Sequence, residues 1–181
     1  AWVASGPRQD HDDEHLVKVR LADGERLIVV EPPGLRFQID LALVGDSLLL
    51  LGLDHIDGRR IGRISVLDAA TGALQRTIYP TCGGQPLQDP TSLCVHGDLV
   101  FIADSGNHRI VVCRHTDGAH VRCIGKAGQT WEERKGTAPG EFNNPVGVAI
   151  GHGRLYVSER VGRRIQVLTL EGLPLQVLDL P

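Results

Sequence analysis

The residues able to do chemistry in this chain are mostly arginines and histidines, sixteen and eight of them among 181 residues. Arginine outnumbers lysine 16 to 3, which suits planar, bidentate recognition of carboxylate or phosphate. Three converging imidazoles could hold a metal ion, and His96, His152, His115 and His120 are the candidates. The repeat described below puts the first two in one class of turn and the last two in another. They therefore read as surface histidines, with no metal site. The run His11 to His15 (HDDEH) has ligand spacing suited to a helix, yet its context is a polar loop. Gly125 to Thr130 (GKAGQT) lacks the upstream glycine of a phosphate loop. Neither G-x-S-x-G nor H-E-x-x-H occurs, so no catalytic set and no cofactor is implied.

Four cysteines, Cys82, Cys94, Cys113 and Cys123, show no C-x-x-C spacing, which argues against a zinc ribbon. Cys113 and Cys123 could face each other across a hairpin, but packed, reduced thiols are the expectation. So few cysteines do not make a disulfide scaffold, which leans towards an intracellular, cytoplasmic setting. No apolar run reaches the roughly 18–20 residues of a membrane helix, and none of the partners considered is a membrane. Net charge is −3, but residues 1–104 hold 9 Lys/Arg against 15 Asp/Glu and residues 105–165 hold 10 against 5. Such asymmetry can mark a face for an acidic partner.

The elements that position these residues emerge from an internal repeat. Pro90 to Arg109 (PTSLCVHGDLVFIADSGNHR) aligns without a gap on Pro145 to Arg164 (PVGVAIGHGRLYVSERVGRR), 55 residues on. Both continue into a hairpin, turning at Asp117-Gly118 and Glu171-Gly172. The same hairpin occurs at Thr71-Gly72 and Asp23-Gly24. Glycine is placed there because it accepts the positive φ that a tight turn demands. The turn glycines stand 48, 46 and 54 residues apart. A period in the forties with four short strands per unit predicts β-propeller blades.

ADSGNHRI (Ala103 to Ile110) and PGEFNNPVGVAI (Pro139 to Ile150) resemble the signature stretches of NHL repeats. The resemblance runs over residues 84–179, extends into 36–80, and fades before that. It implies structural turn roles for Asp104, Gly106, Asn107 and Arg109: the two polar side chains cap a tight turn, Gly106 takes positive φ, and Arg109 folds back on Asp104. The last repeat departs from the pattern, with Glu159 at the Asp104 position and Gly162 at the Asn107 position. The second carries an insertion, LDHIDGRRIG, between its second and third strands.

The expected fold is thus all-β, an incomplete propeller arc of four-stranded antiparallel blades. Residues 1–34 form a partial blade that starts at its second strand and carries a polar loop over 6–15. Residues 35–80, 84–125 and 145–181 form full blades, with an inter-blade linker over 126–144. NHL-type rings resemble six-bladed ones, so further blades are expected from a longer chain. The open edges of an arc invite association, which makes self-pairing of arcs the alternative. One rim collects the candidate binding residues: Arg59, Arg60, His108, Arg160 and Arg163 from loops within blades, and Trp131, Arg134 and Lys135 from the linker. Asp54, Asp57, Glu132 and Glu133 lie among them and dilute the charge. The expected function is a non-enzymatic scaffold that binds a protein or peptide on this face. The alternatives are single-stranded RNA binding through the basic rim, or a fragment of a metal-dependent enzyme similar to amidating lyases.

Overall fold

The computed structural model describes residues 2–5, 15–19, 26–30 and 38–180. The polar loop over 6–15, apart from His15, and the Asp23-Gly24 turn lie outside the described residues. The first sheet has three antiparallel strands in the order β1 (Trp2–Ser5), β2 (His15–Val19), β3 (Arg26–Val30). The second is the meander β4 (Gln38–Val44), β5 (Ser47–Ile56), β6 (Arg59–Asp68), β7 (Leu74–Ile78). A two-stranded hairpin, β8 (Thr81–Cys82) and β9 (Gln85–Pro86), leads into the third sheet. That sheet comprises β10 (Pro90–His96), β11 (Leu99–Asp104), β12 (Arg109–Arg114) and β13 (His120–Ile124). A single-turn helix, α1 (Trp131–Arg134), precedes the fourth sheet of β14 (Pro145–Gly151), β15 (Arg154–Glu159), β16 (Arg164–Thr169) and β17 (Pro174–Asp179). β10 packs against β4 on one side and β14 on the other. The first strands of successive four-stranded sheets thus line a common inner edge, which is the arrangement of propeller blades.

The sheets stack face to face, and alternation along each strand serves two interfaces at once. Val100 and Ile102 of β11 join Leu49, Leu51, Ile64 and Val66 of the second sheet. Their neighbours Phe101 and Ala103 face the other way and pack with Phe142, Leu155, Val157 and Leu168. A strand covered on both faces is apolar throughout, which is why β11 reads LVFIA without polar interruption.

Two features repeat from sheet to sheet. The last two strands slip register by one residue beside their turn, leaving Leu27, Gln75, Val121 and Leu175 as the extra residues of β-bulges. In addition, the turn glycine of one blade receives the last outer-strand isoleucine of the blade before it. A Cβ on Gly118 would fall inside the Ile78 side chain, and one on Gly172 would lie 2.7 Å from Ile124. Ile78 and Ile124 are thereby only 7% and 5% exposed, whereas Leu178, their counterpart in β17, is 42% exposed.

The structure differs from expectation around residues 53–62. The inserted residues do not form a loop: they lengthen β5 and β6 to ten residues each, in a hairpin closed by Asp57 (φ 51°) and Gly58 (φ 73°). Two successive positive φ angles are the backbone of a two-residue hairpin turn, and Asp-Gly is its preferred dipeptide. Arg59 and Arg60 therefore stand on a strand end, paired with Ile56 and His55.

Candidate functional site

The turn between β11 and β12 is built around one buried carboxylate. Asp104 accepts the Gln88 N–H at Oδ1 (2.7 Å); its Oδ2 accepts Asn107 Nδ2 (2.9 Å) and Arg109 Nε (2.7 Å). Burial pushes the Asp104 carboxyl up, while the Arg109 guanidinium and these hydrogen bonds pull it down. Arg109 also donates to the carbonyls of Cys82 (3.2 Å) and Gln85 (3.2 Å), tying the incoming linker to the turn. Gly106 does not adopt positive φ. It sits in a 3-10 turn, where a Cβ would lie 2.8 Å from the Gln88 carbonyl oxygen. The left-handed residue is His108, at φ 54°.

The second and fourth sheets reach the same end with different residues. In the fourth sheet Arg164 Nε donates to Glu159 (2.6 Å), whose other oxygen accepts the Asn143 N–H (2.7 Å). The longer glutamate fills the place of the asparagine amide, and a Cβ on Gly162 would lie 2.5 Å from its oxygen. The missing amide is supplied from β16 by Gln166, which donates to Glu159 (2.8 Å) and to the Glu141 carbonyl (2.6 Å). In the second sheet the paired position is Gly52. The carboxylate comes instead from Asp54, 3.5 Å from Arg63 and 2.8 Å from the Tyr79 hydroxyl. Asp54 is thus engaged with the fold and does not belong to the free charge of the rim.

Beside the Asp104 turn lies an open cleft of about 760 Å³ between the tip of the β5–β6 hairpin and α1. Arg59 and Arg60 line the hairpin side, Trp131 and Thr130 the helix side, and Pro86 and Gln88 the floor. Trp131 is 49% exposed. Arg60 pairs with exposed Asp89 at 3.0 Å, a contact worth little in water. Arg59 has no ion-pair partner among the described residues. The helix that carries Trp131 is one turn long and is held at its start by a capping box: the Glu133 N–H donates to Thr130 Oγ1 (3.3 Å) while the Glu133 carboxylate accepts the Thr130 N–H (3.4 Å). The T-x-x-E signature was present in the sequence and is what could have revealed this helix.

Of the eight predicted binding residues, Arg59, Arg60, Trp131 and Arg134 line this one cleft. Arg134 is buried and occupied: it donates to Gln85 Oε1 (2.7 Å), Asn107 Oδ1 (2.8 Å) and the carbonyls of Gly128 and Gln129. His108 stacks on the Trp131 ring, with centroids 5.8 Å apart. Its Nδ1 accepts the Asn144 N–H at 2.8 Å, so the imidazole is neutral. Burial lowers its pKa, and the Lys135 and Arg134 cations lower it further. Lys135 is exposed at the end of α1. Arg160 and Arg163 are exposed between β15 and β16 and do not line the cleft.

The cysteines also differ from expectation. Cys123 lies opposite Val111, whereas Cys113 lies opposite His120, so the hairpin does not bring Cys113 and Cys123 together. Cys123 is instead disulfide-bonded to Cys82 of the β8–β9 linker, with Cα atoms 6.3 Å apart. Cys94 and Cys113 are free, and burial pushes their thiols up to about 12 and about 11. With one pair oxidised, the sparseness of cysteine no longer points to a compartment. Among the described residues, His96, His115 and His152 join no cluster of possible metal ligands, while His120 lies beside the disulfide.

Residues 87–113, which span β10, β11, the Asp104 turn and most of β12, match the family model of the NHL repeat. The chain carries an NHL repeat. No curated protein sequence matches the chain. Among solved structures, one similar in fold is the hydrazine synthase of Kuenenia stuttgartiensis, at 15% identity and a TM-score of 0.53, covering 82% of this chain and 36% of that one. Another is a Bacteroides caccae protein of unknown function, at 11% identity and a TM-score of 0.61, covering 93% of this chain and 54% of that one. At these identities the likeness is one of fold alone. The chain spans between about a third and about half the length of these two structures. The NHL turn is thus a structural latch on an all-β propeller arc, with a counterpart in the fourth sheet, and an exposed cleft lies beside it.

Proposed function

We propose that this NHL-repeat chain is a non-enzymatic binding module that holds an extended acidic peptide in the cleft between the β5–β6 hairpin and α1. One observation carries the proposal: exposed Trp131 stands across a single open cleft from Arg59 and Arg60, over a floor anchored by buried hydrogen bonds. A rigid indole beside guanidinium groups suits a chain that offers apolar or aromatic side chains and carboxylates in turn. Asp89 lines the cleft and exposed Glu132 adjoins Trp131, which favours a peptide with spaced acids over a continuous phosphate backbone. Arg160, Arg163 and Lys135 would extend the same basic rim for a longer partner.

A random Glu/Tyr copolymer tests the peptide reading, with poly(U) RNA as the contrasting probe. Fluorescence anisotropy of the labelled copolymer should show saturable binding that Trp131→Ala weakens about 30-fold, the loss of one aromatic anchor worth about 2 kcal/mol. Arg59→Glu should weaken it as well. Steeply salt-dependent binding of poly(U), with none of the copolymer, would replace the peptide by RNA. Binding of either probe that ignores Trp131→Ala would remove the cleft from consideration.

A further inference from the structure

The bulge between β12 and β13 has a chemical consequence. In a regular strand, residues three apart point to opposite faces. Here Val121 is extra, so His120 and Cys123 lie opposite Cys113 and Val111, two residues that share one face of β12. His120 Nε2 accordingly reaches to 3.1 Å from Cys123 Sγ. The other four-stranded sheets have the same bulge, but the equivalent pairs are Leu74 with Thr77 and Pro174 with Val177. Only this blade places an imidazole and a thiol there. The third member, Cys82, comes from the β8–β9 hairpin, whose turn is Gly83-Gly84 with both φ positive (60° and 75°). One ligand atom from each of Cys82, His120 and Cys123 lies within 4.8 Å of the other two.

We propose that Cys82, His120 and Cys123 form a metal site for Zn²⁺ in the reduced protein, exclusive with the Cys82–Cys123 disulfide. Two thiolates and an imidazole match the borderline-soft character of Zn²⁺, and three protein ligands leave the fourth position to water or a small anion. A disulfide needs no imidazole, so its chemistry does not account for His120. A Cα separation of 6.3 Å suits both states. The sulfurs must part from about 2.05 Å when bonded to about 3.8 Å around a tetrahedral zinc. The diglycine turn next to Cys82 can supply that movement. Cys123 and His120 are exposed and Cys82 is half-buried, which gives an ion a path in. Cys94 and Cys113 do not compete, because burial keeps both as thiols.

The interconversion balances. A dithiol reductant passes two electrons and two protons to the disulfide, the Cys82–Cys123 bond breaks to two thiols, and the reductant closes to its own disulfide. Zn²⁺ then binds two thiolates and releases the two thiol protons. Either state crosslinks the linker to β13, so the redox state selects which crosslink holds the blade seam.

Co²⁺ is the probe. The full chain, reduced and desalted without oxygen, should bind one equivalent, with thiolate-to-cobalt charge-transfer bands and tetrahedral d–d absorption that Zn²⁺ abolishes. Cys123→Ser should remove the charge-transfer bands or halve them. His120→Ala should weaken binding by at least about tenfold and shift the d–d bands. On the unaltered chain, one equivalent of Zn²⁺ should protect Cys82 and Cys123 from iodoacetamide, as read by peptide mass. Absence of cobalt bands in the reduced chain, or of zinc protection, overturns the proposal. So do bands in the oxidised chain, or bands in His120→Ala of unchanged affinity and shape.

Discussion

Exchanging Glu159 and Gly162 for the residues of the neighbouring blade tests whether Glu-plus-Gly and Asp-plus-Asn are equivalent latches. Gly162→Asn alone puts a Cβ 2.5 Å from Glu159 Oε2 and 3.0 Å from its Cβ. That carboxylate cannot swing away, because Asn143, Arg164 and Gln166 hold both of its oxygens. Overpacking of this kind costs about 1–3 kcal/mol. Glu159→Asp alone withdraws the carboxylate by about 1.5 Å, one C–C bond. It leaves a buried donor among these three unpaired, at about 1–3 kcal/mol. The double variant rebuilds the Asp104–Asn107–Arg109 arrangement, in which the amide fills the space that the shorter acid vacates. It should cost about 1 kcal/mol or less, a favourable coupling of about 2–3 kcal/mol between sites that touch. Urea unfolding of the four proteins measures this, through midpoints compared at an unchanged m-value. A double variant whose cost equals the sum of the singles within about 0.5 kcal/mol would refute the compensation.

Two further outcomes follow from the same geometry. Gly118→Ala must bear positive φ and an overlap with Ile78, together about 2–4 kcal/mol, whereas Gly97→Ala, also at positive φ but in open space, should cost about 1 kcal/mol. Thermal unfolding should separate them at about 2–4 °C per kcal/mol, and equal shifts would remove the blade contact as the cause. His108 has a folded-state pKa below its ordinary 6.5, so the folded state binds its proton less readily than the unfolded chain. Its contribution to stability is therefore complete above pH 6.5 and is lost as pH falls from there through the folded value. Proton NMR of the His108 ring should show a midpoint below 6.5, and His108→Gln should flatten the stability profile below that pH.

The repeat was legible because each outer hairpin needs a glycine at positive φ, and those glycines recur at blade spacing. The continuous apolar run of β11 was legible for a related reason, since a strand between two sheets tolerates no polar face. The β5–β6 extension was not: LDHIDGRRIG is polar enough to resemble a loop, and only Asp57-Gly58 marks the turn. Helix α1 is too short to show a 3.6-residue period. Cys82 and Cys123 meet through the placement of a linker over a neighbouring strand, which spacing along the chain does not encode. His120 and Cys123 share a face only because Val121 bulges, a displacement visible in register and not in residue type. The cleft has a similar origin: Arg59 and Trp131, 72 positions apart in the chain, meet because a hairpin and a linker helix lean over the same NHL turn.

The contact of Ile78 with Gly118, and of Ile124 with Gly172, gives the row of blades a direction. At these two joints the earlier blade offers an apolar residue forwards and the later one receives it at its turn, so the blades meet through unlike surfaces. Joints of this kind repeat head to tail, and a face-to-face pairing of identical ends would not reproduce them. The Asp104–Arg109 and Glu159–Arg164 latches, by contrast, join strands of their own blade to the linker that leads into it, so folding free energy divides into terms within blades and terms between nearest neighbours. Loosening one joint then weakens the two blades it links and leaves a more distant blade with its own latch intact. Leu178 stands at the forward end of this series as an apolar group whose counterparts Ile78 and Ile124 are covered by glycine turns. A neighbour that covered it would complete one more joint of the same sense, and the arc can be extended there without changing the register of the blades behind it.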